Sequence, residues 1–204
     1  MEEIIVDTHH GRVFGMRAGP AGGPLVLGIH GWSQRNGWHT WEPLLEPLGM
    51  AGYQAVSVDM PGWGQSQSVH SGPLSAAQAV ETAIDLITGL EAKQAVLMGK
   101  SWGGGVALHT ALAHPGRVAK LILTAPAFRE LDRLPEINQP VLLAWAQDDP
   151  VIPYRYAQEF TGRLPQVELV SYPTGGHSAA PQNAADFAPK ALAFLGAFLG
   201  NDSH

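Results

Sequence analysis

Short apolar runs recur along the chain at Leu25–Ile29, Ala55–Val58, Ala95–Met98, Val118–Leu123 and Val141–Trp145. Each is too short for a buried helix and is closed by glycine, proline or polar residues. That pattern predicts strands buried on both faces of a parallel sheet. Val167–Tyr172 reads as a last, more polar strand, and Ile4–Val6 with Val13–Phe14 predicts a hairpin over 4–17 around a turn at His9-His10-Gly11. Between these runs the period changes. From Ser75 to Leu90 the apolar positions are 79, 80, 83, 84, 87 and 90, one face of a helix. Further helices are expected over 41–51, stopped by Gly52, from the glycine-rich segment at 103 to Ala113, up to Arg163, and over 184–199 with Phe187, Leu192, Phe194 and Leu195. Residues 200–204 are expected to fray.

Strands alternating with helices at this spacing predict an α/β fold. A mostly parallel central sheet carries helices on both faces, in a single domain over 1–204. In such sheets the chemistry gathers beyond the carboxyl ends of the strands.

Composition narrows the function. The 204 residues carry 12 basic and 18 acidic side chains, a net charge of −6, with no run of either sign. Nucleic acid and anionic membrane surfaces are therefore poor partners. The chain has no cysteine, which excludes disulfides, thiolate nucleophiles and thiolate metal sites together. Met1-Glu2-Glu3 lacks the basic and apolar regions of a signal peptide, and no apolar run approaches the ~20 residues of a membrane span. A cytoplasmic protein is expected. The sequence sets no oligomeric state. His9-His10 suits a turn better than a metal site, because neighbours on a strand point to opposite faces.

The post-strand positions hold the reactive side chains. Gly99-Lys100-Ser101-Trp102-Gly103 follows the strand at 95–98 and opens a helix. A serine on so tight a turn needs glycine neighbours, and its hydroxyl is then presented beside the amide donors of a helix N-terminus. His30-Gly31-Trp32, Asp148-Asp149 and Gly175-Gly176-His177 follow other strands and fall at the same sheet edge. A serine hydroxyl needs a base, and the base needs an orienting carboxylate.

These segments, with Asp59-Met60-Pro61-Gly62-Trp63-Gly64-Gln65-Ser66 and Asp149-Pro150-Val151-Ile152-Pro153, resemble the α/β-hydrolase superfamily over nearly the whole chain. The resemblance implies a Ser-Asp-His order of catalytic residues: Ser101 as nucleophile, Asp149 as acid, His177 as base. Asp148 is the alternative acid, and Glu130 or Asp132, after the preceding strand, is the fallback. The backbone N–H groups of Trp102 and Trp32 are the expected oxyanion donors. His30 is expected to shape its loop, and the Asp59–Ser66 segment to serve structure alone. Ser101-Trp102-Gly103-Gly104 looks like the nucleophile turn of haloalkane dehalogenases and epoxide hydrolases, but with serine where they carry aspartate, so alkyl-enzyme chemistry is not expected. Relatives usually insert a cap before the strand at 141; residues 124–139 leave no room for one.

The expected function is hydrolysis of short-chain carboxylic esters through an acyl-enzyme, with a small-molecule ester as partner and no cofactor or metal. Perhydrolase or C–C bond hydrolase chemistry with the same triad is the second reading, and a non-catalytic interaction module the third. Trp32, Trp38, Trp63 and Trp102 lie in loops that either line the pocket or pack beneath it. The Trp32–Trp41 loop either leaves the pocket open or folds over Ser101.

Overall fold

A computed structural model describes residues 1–199, so the expected fraying of 200–204 lies outside the described residues. The sheet has eight strands: β1 (Glu2–Thr8), β2 (Gly11–Ala18), β3 (Leu25–Ile29), β4 (Gln54–Val58), β5 (Ala95–Lys100), β6 (Val118–Thr124), β7 (Val141–Ala146) and β8 (Val167–Tyr172). Their spatial order is β1-β2-β4-β3-β5-β6-β7-β8. β1 and β2 form an antiparallel hairpin that adds antiparallel to β4, while β3 through β8 run parallel. The chain winds outward from β3 to β4 and then returns to the other side of β3 as β5. That reversal opens a crevice beyond Ile29 and Gly99, which are paired in register.

The helices are α1 (Glu42–Met50), α2 (Ala76–Gly89), α3 (Trp102–Ala113), α4 (Arg155–Thr161), α5 (Ala179–Gln182) and α6 (Ala184–Leu199). They cover both faces, as the alternation predicts. One core packs Leu27, Leu97, Leu121 and Leu143 under α2, α3 and α4; the other packs Val26, Met98, Ile122 and Leu142 under α1, α5 and α6. Successive residues of β3, β5, β6 and β7 thus divide between the two cores, which is why these strands read as unbroken apolar runs. α2 begins at a capping box: Gln78 N–H donates to Ser75 Oγ, and Ser75 N–H to Gln78 Oε1. The short α5 and the tight 3-10 turn at Leu131–Glu136 have no periodic signature in the sequence.

Between β6 and β7 lies only that 3-10 turn, so no cap is inserted there. The hairpin turn differs from expectation in one respect. His9 and His10 both reach α2, where His9 Nδ1 meets Asp85 at 2.8 Å and His10 Nε2 meets Glu81 Oε2 at 2.7 Å. Outside a strand the alternation of side chains no longer applies, and Glu81 and Asp85 sit one helical turn apart. Among the described residues no cluster of three or more histidines and carboxylates could hold a metal ion.

Candidate active site

Ser101 sits between β5 and α3 with φ 52° and ψ −116°. A non-glycine residue there carries about 1–3 kcal/mol of backbone strain. Three contacts hold the turn: Ser101 N–H donates to Thr124 O at 2.9 Å, and its carbonyl accepts from Gly105 at 3.1 Å and Ala127 at 2.8 Å. The neighbouring glycines permit close approach. A Cβ on Gly103 would lie 2.4 Å from Ile29 O and 2.5 Å from His30 O. The start of α3 therefore rests directly against the end of β3, which brings Trp102 beside Trp32. Their rings lie 5.5 Å apart, edge to face, and Trp63 stacks on Trp102 at 5.0 Å. Trp63 Nε1–H donates to Trp32 O at 3.0 Å. Trp102 is the first residue of α3, so its N–H has no carbonyl one turn back within the helix.

His177 follows Gly175 and Gly176, both at positive φ, in the turn after β8. Its Nδ1–H donates to Asp149 Oδ2 at 2.8 Å. The other oxygen of Asp149 accepts the Val151 and Ile152 N–H groups at 2.8 and 3.0 Å. The carboxylate is buried and bonded through both oxygens, so it stays where the turn puts it. It also sets the tautomer of His177, leaving Nε2 as the acceptor. That Nε2 is buried and has no hydrogen-bond partner. No hydrogen bond joins it to Ser101; such contacts are commonly long without substrate and tighten around the transition state. Asp148 is exposed and does a different job, accepting Gly176 N–H at 2.8 Å and bracing the histidine turn. Glu130 turns away to Arg133 at 3.2 Å and to His109 at 3.7 Å, and the exposed Asp132 lies at the start of the 3-10 turn, after Leu131.

Two buried groups shape the rim. His30 Nε2 accepts Met60 N–H at 3.0 Å, so its Nδ1–H is the donor to Gly31 O at 2.7 Å. Burial pushes its pKa down to about 4, keeping the ring neutral. Asp59 accepts Trp38 N–H at 2.7 Å and Gln65 N–H at 2.8 Å, tying the loop after β3 to the one after β4. A Cβ on Gly64 would fall 2.1 Å from Asp59 Oδ2. Both residues act on backbone, as the sequence suggests.

Sequence reasoning missed Lys100 as part of the site. Its Nζ donates to Asn36 Oδ1 at 3.2 Å, and Asn36 Nδ2 donates to Ser33 O at 3.2 Å. Burial pushes the ammonium pKa down while the charge on Asp149 acts the other way. A cation closing an otherwise apolar strand was the available signal. Asn36 offered none, since its partner lies far along the chain.

A family model for the alpha/beta hydrolase fold matches residues 24–134 and 127–184. The chain belongs to the α/β-hydrolase family. Among curated relatives of this family, it is 35% identical over 104 residues to a 2-hydroxy-6-oxononadienedioate/2-hydroxy-6-oxononatrienedioate hydrolase from Cupriavidus pinatubonensis, covering 50% of this chain and 36% of that one. It is 31% identical over 127 residues to a pimeloyl-[acyl-carrier protein] methyl ester esterase from Pseudoalteromonas atlantica, covering 61% and 46%. The chain thus matches less than half the length of either relative. A solved structure from Thermoplasma acidophilum, described as a predicted CIB-like hydrolase, superposes with a TM-score of 0.87 at 26% identity over 95% of this chain and 97% of that one. No helix of the described residues is long and apolar enough to cross a membrane.

Proposed function

We propose that this α/β-hydrolase-fold chain is a serine hydrolase that cleaves short-chain carboxylic esters, with Ser101 as nucleophile, His177 as base and Asp149 as acid. The observation that carries the reading is the histidine: a buried Nε2 with no partner, on a ring whose Nδ1–H is held by a buried, doubly bonded carboxylate. A structural histidine would have both nitrogens satisfied, as His30 does.

In this reading Ser101 Oγ attacks the ester carbonyl while its proton passes to His177 Nε2. Asp149 stabilises the imidazolium that forms. Negative charge on the carbonyl oxygen is met by the N–H groups of Trp32 and Trp102. His177 then returns the proton to the departing alcohol, leaving Ser101 acylated. Water attacks the acyl-enzyme with His177 again as base, releasing the acid. The steps use side chains, two backbone N–H groups and water, within one domain.

Labelling with a fluorophosphonate and mapping the peptide tests this. Label is expected on Ser101 and absent from heated protein, and Ser101→Ala and His177→Ala should each lower ester turnover ~10⁴-fold or more without unfolding the chain. Turnover by Ser101→Ala within tenfold of the parent would sink the reading. The relative named as a 2-hydroxy-6-oxononadienedioate hydrolase supports a second reading, cleavage of a carbon–carbon bond by the same residues. Faster turnover of vinylogous 1,5-diketones than of any ester would favour it.

A further inference from the structure

A cleft of about 780 Å³ opens between the segment after β6 and the turn that carries Asp149. Three of its lining residues are bonded to Ser101 or Asp149. Ala127, on one side, donates its N–H to the carbonyl of Ser101, and Val151 and Ile152, on the other, donate theirs to Asp149. Phe128, Ile152, Tyr156 and Phe160 make much of the lining apolar. Two exposed arginines, Arg129 and Arg155, line the same cleft.

Four of the other arginines engage carboxylates, Arg12 with Asp7, Arg17 with Glu2, Arg133 with Glu130 and Glu136, and Arg163 with Glu159. Arg117 donates instead to the carbonyls of Lys93 and Ala92, and Arg35 lies outside the cleft. Neither Arg129 nor Arg155 has a carboxylate partner among the described residues; Arg155 lies over the Tyr156 ring, 5.2 Å from its centroid. The one carboxylate that shares the cleft, Glu130, is bonded to Arg133 at 3.2 Å and has His109 at 3.7 Å, so its charge is already met. The chain as a whole carries a net charge of −6. Two exposed arginines without a carboxylate partner among the described residues line one partly apolar cleft, against that field. A guanidinium matches a carboxylate through paired N–H donors.

We propose that this cleft seats one arm of the substrate and that Arg129 and Arg155 select an arm that is apolar along its length and ends in a carboxylate, such as a half-ester of a short dicarboxylic acid. The inference rests on the hydrolase reading for what is cleaved, but anion recognition by the cleft can be measured apart from it.

Binding of monomethyl adipate and of methyl hexanoate, its uncharged counterpart, is measured by ligand-observed NMR on the full chain carrying Ser101→Ala. At low salt the anionic ester should bind about tenfold more tightly. The difference should shrink to within about twofold when Arg129→Gln and Arg155→Gln are added, and also at roughly 0.5 M salt, where the Debye length falls to a few ångströms. Arg129→Lys with Arg155→Lys should retain part of the preference, which separates lost charge from lost fold. Equal binding of the two esters, or a preference that survives both glutamine substitutions, overturns the inference. Turnover of 4-nitrophenyl butanoate by the unsubstituted chain reports separately on the hydrolase reading. Its absence beside an intact binding preference would overturn that reading and leave the anion site standing.

Discussion

Asp148 and Asp149 are neighbours in the chain, and their side chains do different work. Asp149 is buried with three donors on its carboxylate, one of them His177 Nδ1–H, whereas Asp148 is exposed and accepts a single backbone N–H. Asp149→Asn is therefore expected to lower ester turnover by ~10²–10⁴, because an amide can hold the wrong tautomer of His177. Asp148→Asn keeps an acceptor for Gly176 and should change turnover only a few-fold. Steady-state kinetics on both variants checks the ranking, and the reverse order would transfer the acid role to Asp148. His30 gives a pH prediction of its own. Burial lowers its pKa from 6.5 to about 4, so between those values the unfolded chain binds a proton that the folded chain refuses. Stability conferred by the neutral ring is thus full above pH 6.5 and falls as pH drops towards 4, by about 3 kcal/mol in all. Urea midpoints at pH 7 and pH 5 should show the loss, and His30→Asn should show less of it.

At the scale of elements, the join between β3, β5 and α3 sets the site. Ser101 ends β5 in a strained conformation, and α3 can start only because Gly103 lets its backbone touch the carbonyls of Ile29 and His30. Any side chain there pushes the nucleophile turn away from the loop that carries Trp32. Displacement of about 1 Å can cost 10²-fold in rate. Gly103→Ala is expected to lose turnover on that scale, whereas Gly116→Ala, with nothing within 4 Å of the new Cβ, should leave it unchanged. Kinetics on the two variants, with circular dichroism to verify folding, makes the comparison. The Lys100–Asn36–Ser33 hydrogen bonds brace the same join from the other side.

For the whole molecule, the decisive feature is the short β6–β7 connection. Only the 3-10 turn at Leu131–Glu136 lies in it, with no inserted cap. The Trp32–Trp41 loop is drawn down by Lys100 and Asp59, and Trp32 itself packs on Trp102 and Trp63 while remaining 49% exposed. This favours an open site over a roofed one. Each buried methylene contributes ~0.8 kcal/mol, so selectivity should rise with acyl length only while the cleft still covers the chain. Activity on 4-nitrophenyl esters is expected to peak between acetate and hexanoate and to fall beyond roughly six to eight carbons. A maximum at laurate or longer, or a rate jump when the substrate forms micelles, would contradict it.

The sequence by itself determined the strands and the longer helices, because these are written in local patterns that survive whatever the element packs against, whereas α5 and the 3-10 turn at Leu131–Glu136 have none. It also determined the α/β class, since strands and helices alternating at this spacing have one common solution, and it marked Ser101 through a glycine spacing dictated by the turn. For the carboxylate of His177 it favoured Asp149 over its neighbour Asp148 only through resemblance to a family, with Glu130 or Asp132 as the fallback. Which of the two adjacent aspartates faces the ring depends on how one turn is held by Val151, Ile152 and Gly176, and neighbours in a turn have no period to read. The tertiary structure likewise decided that His9 and His10 both bind α2, that Lys100 reaches Asn36, and that Arg129 and Arg155 line one cleft. Each of these joins residues far apart in the chain through side-chain contacts, and only the folded sheet brings such positions within a few ångströms of each other.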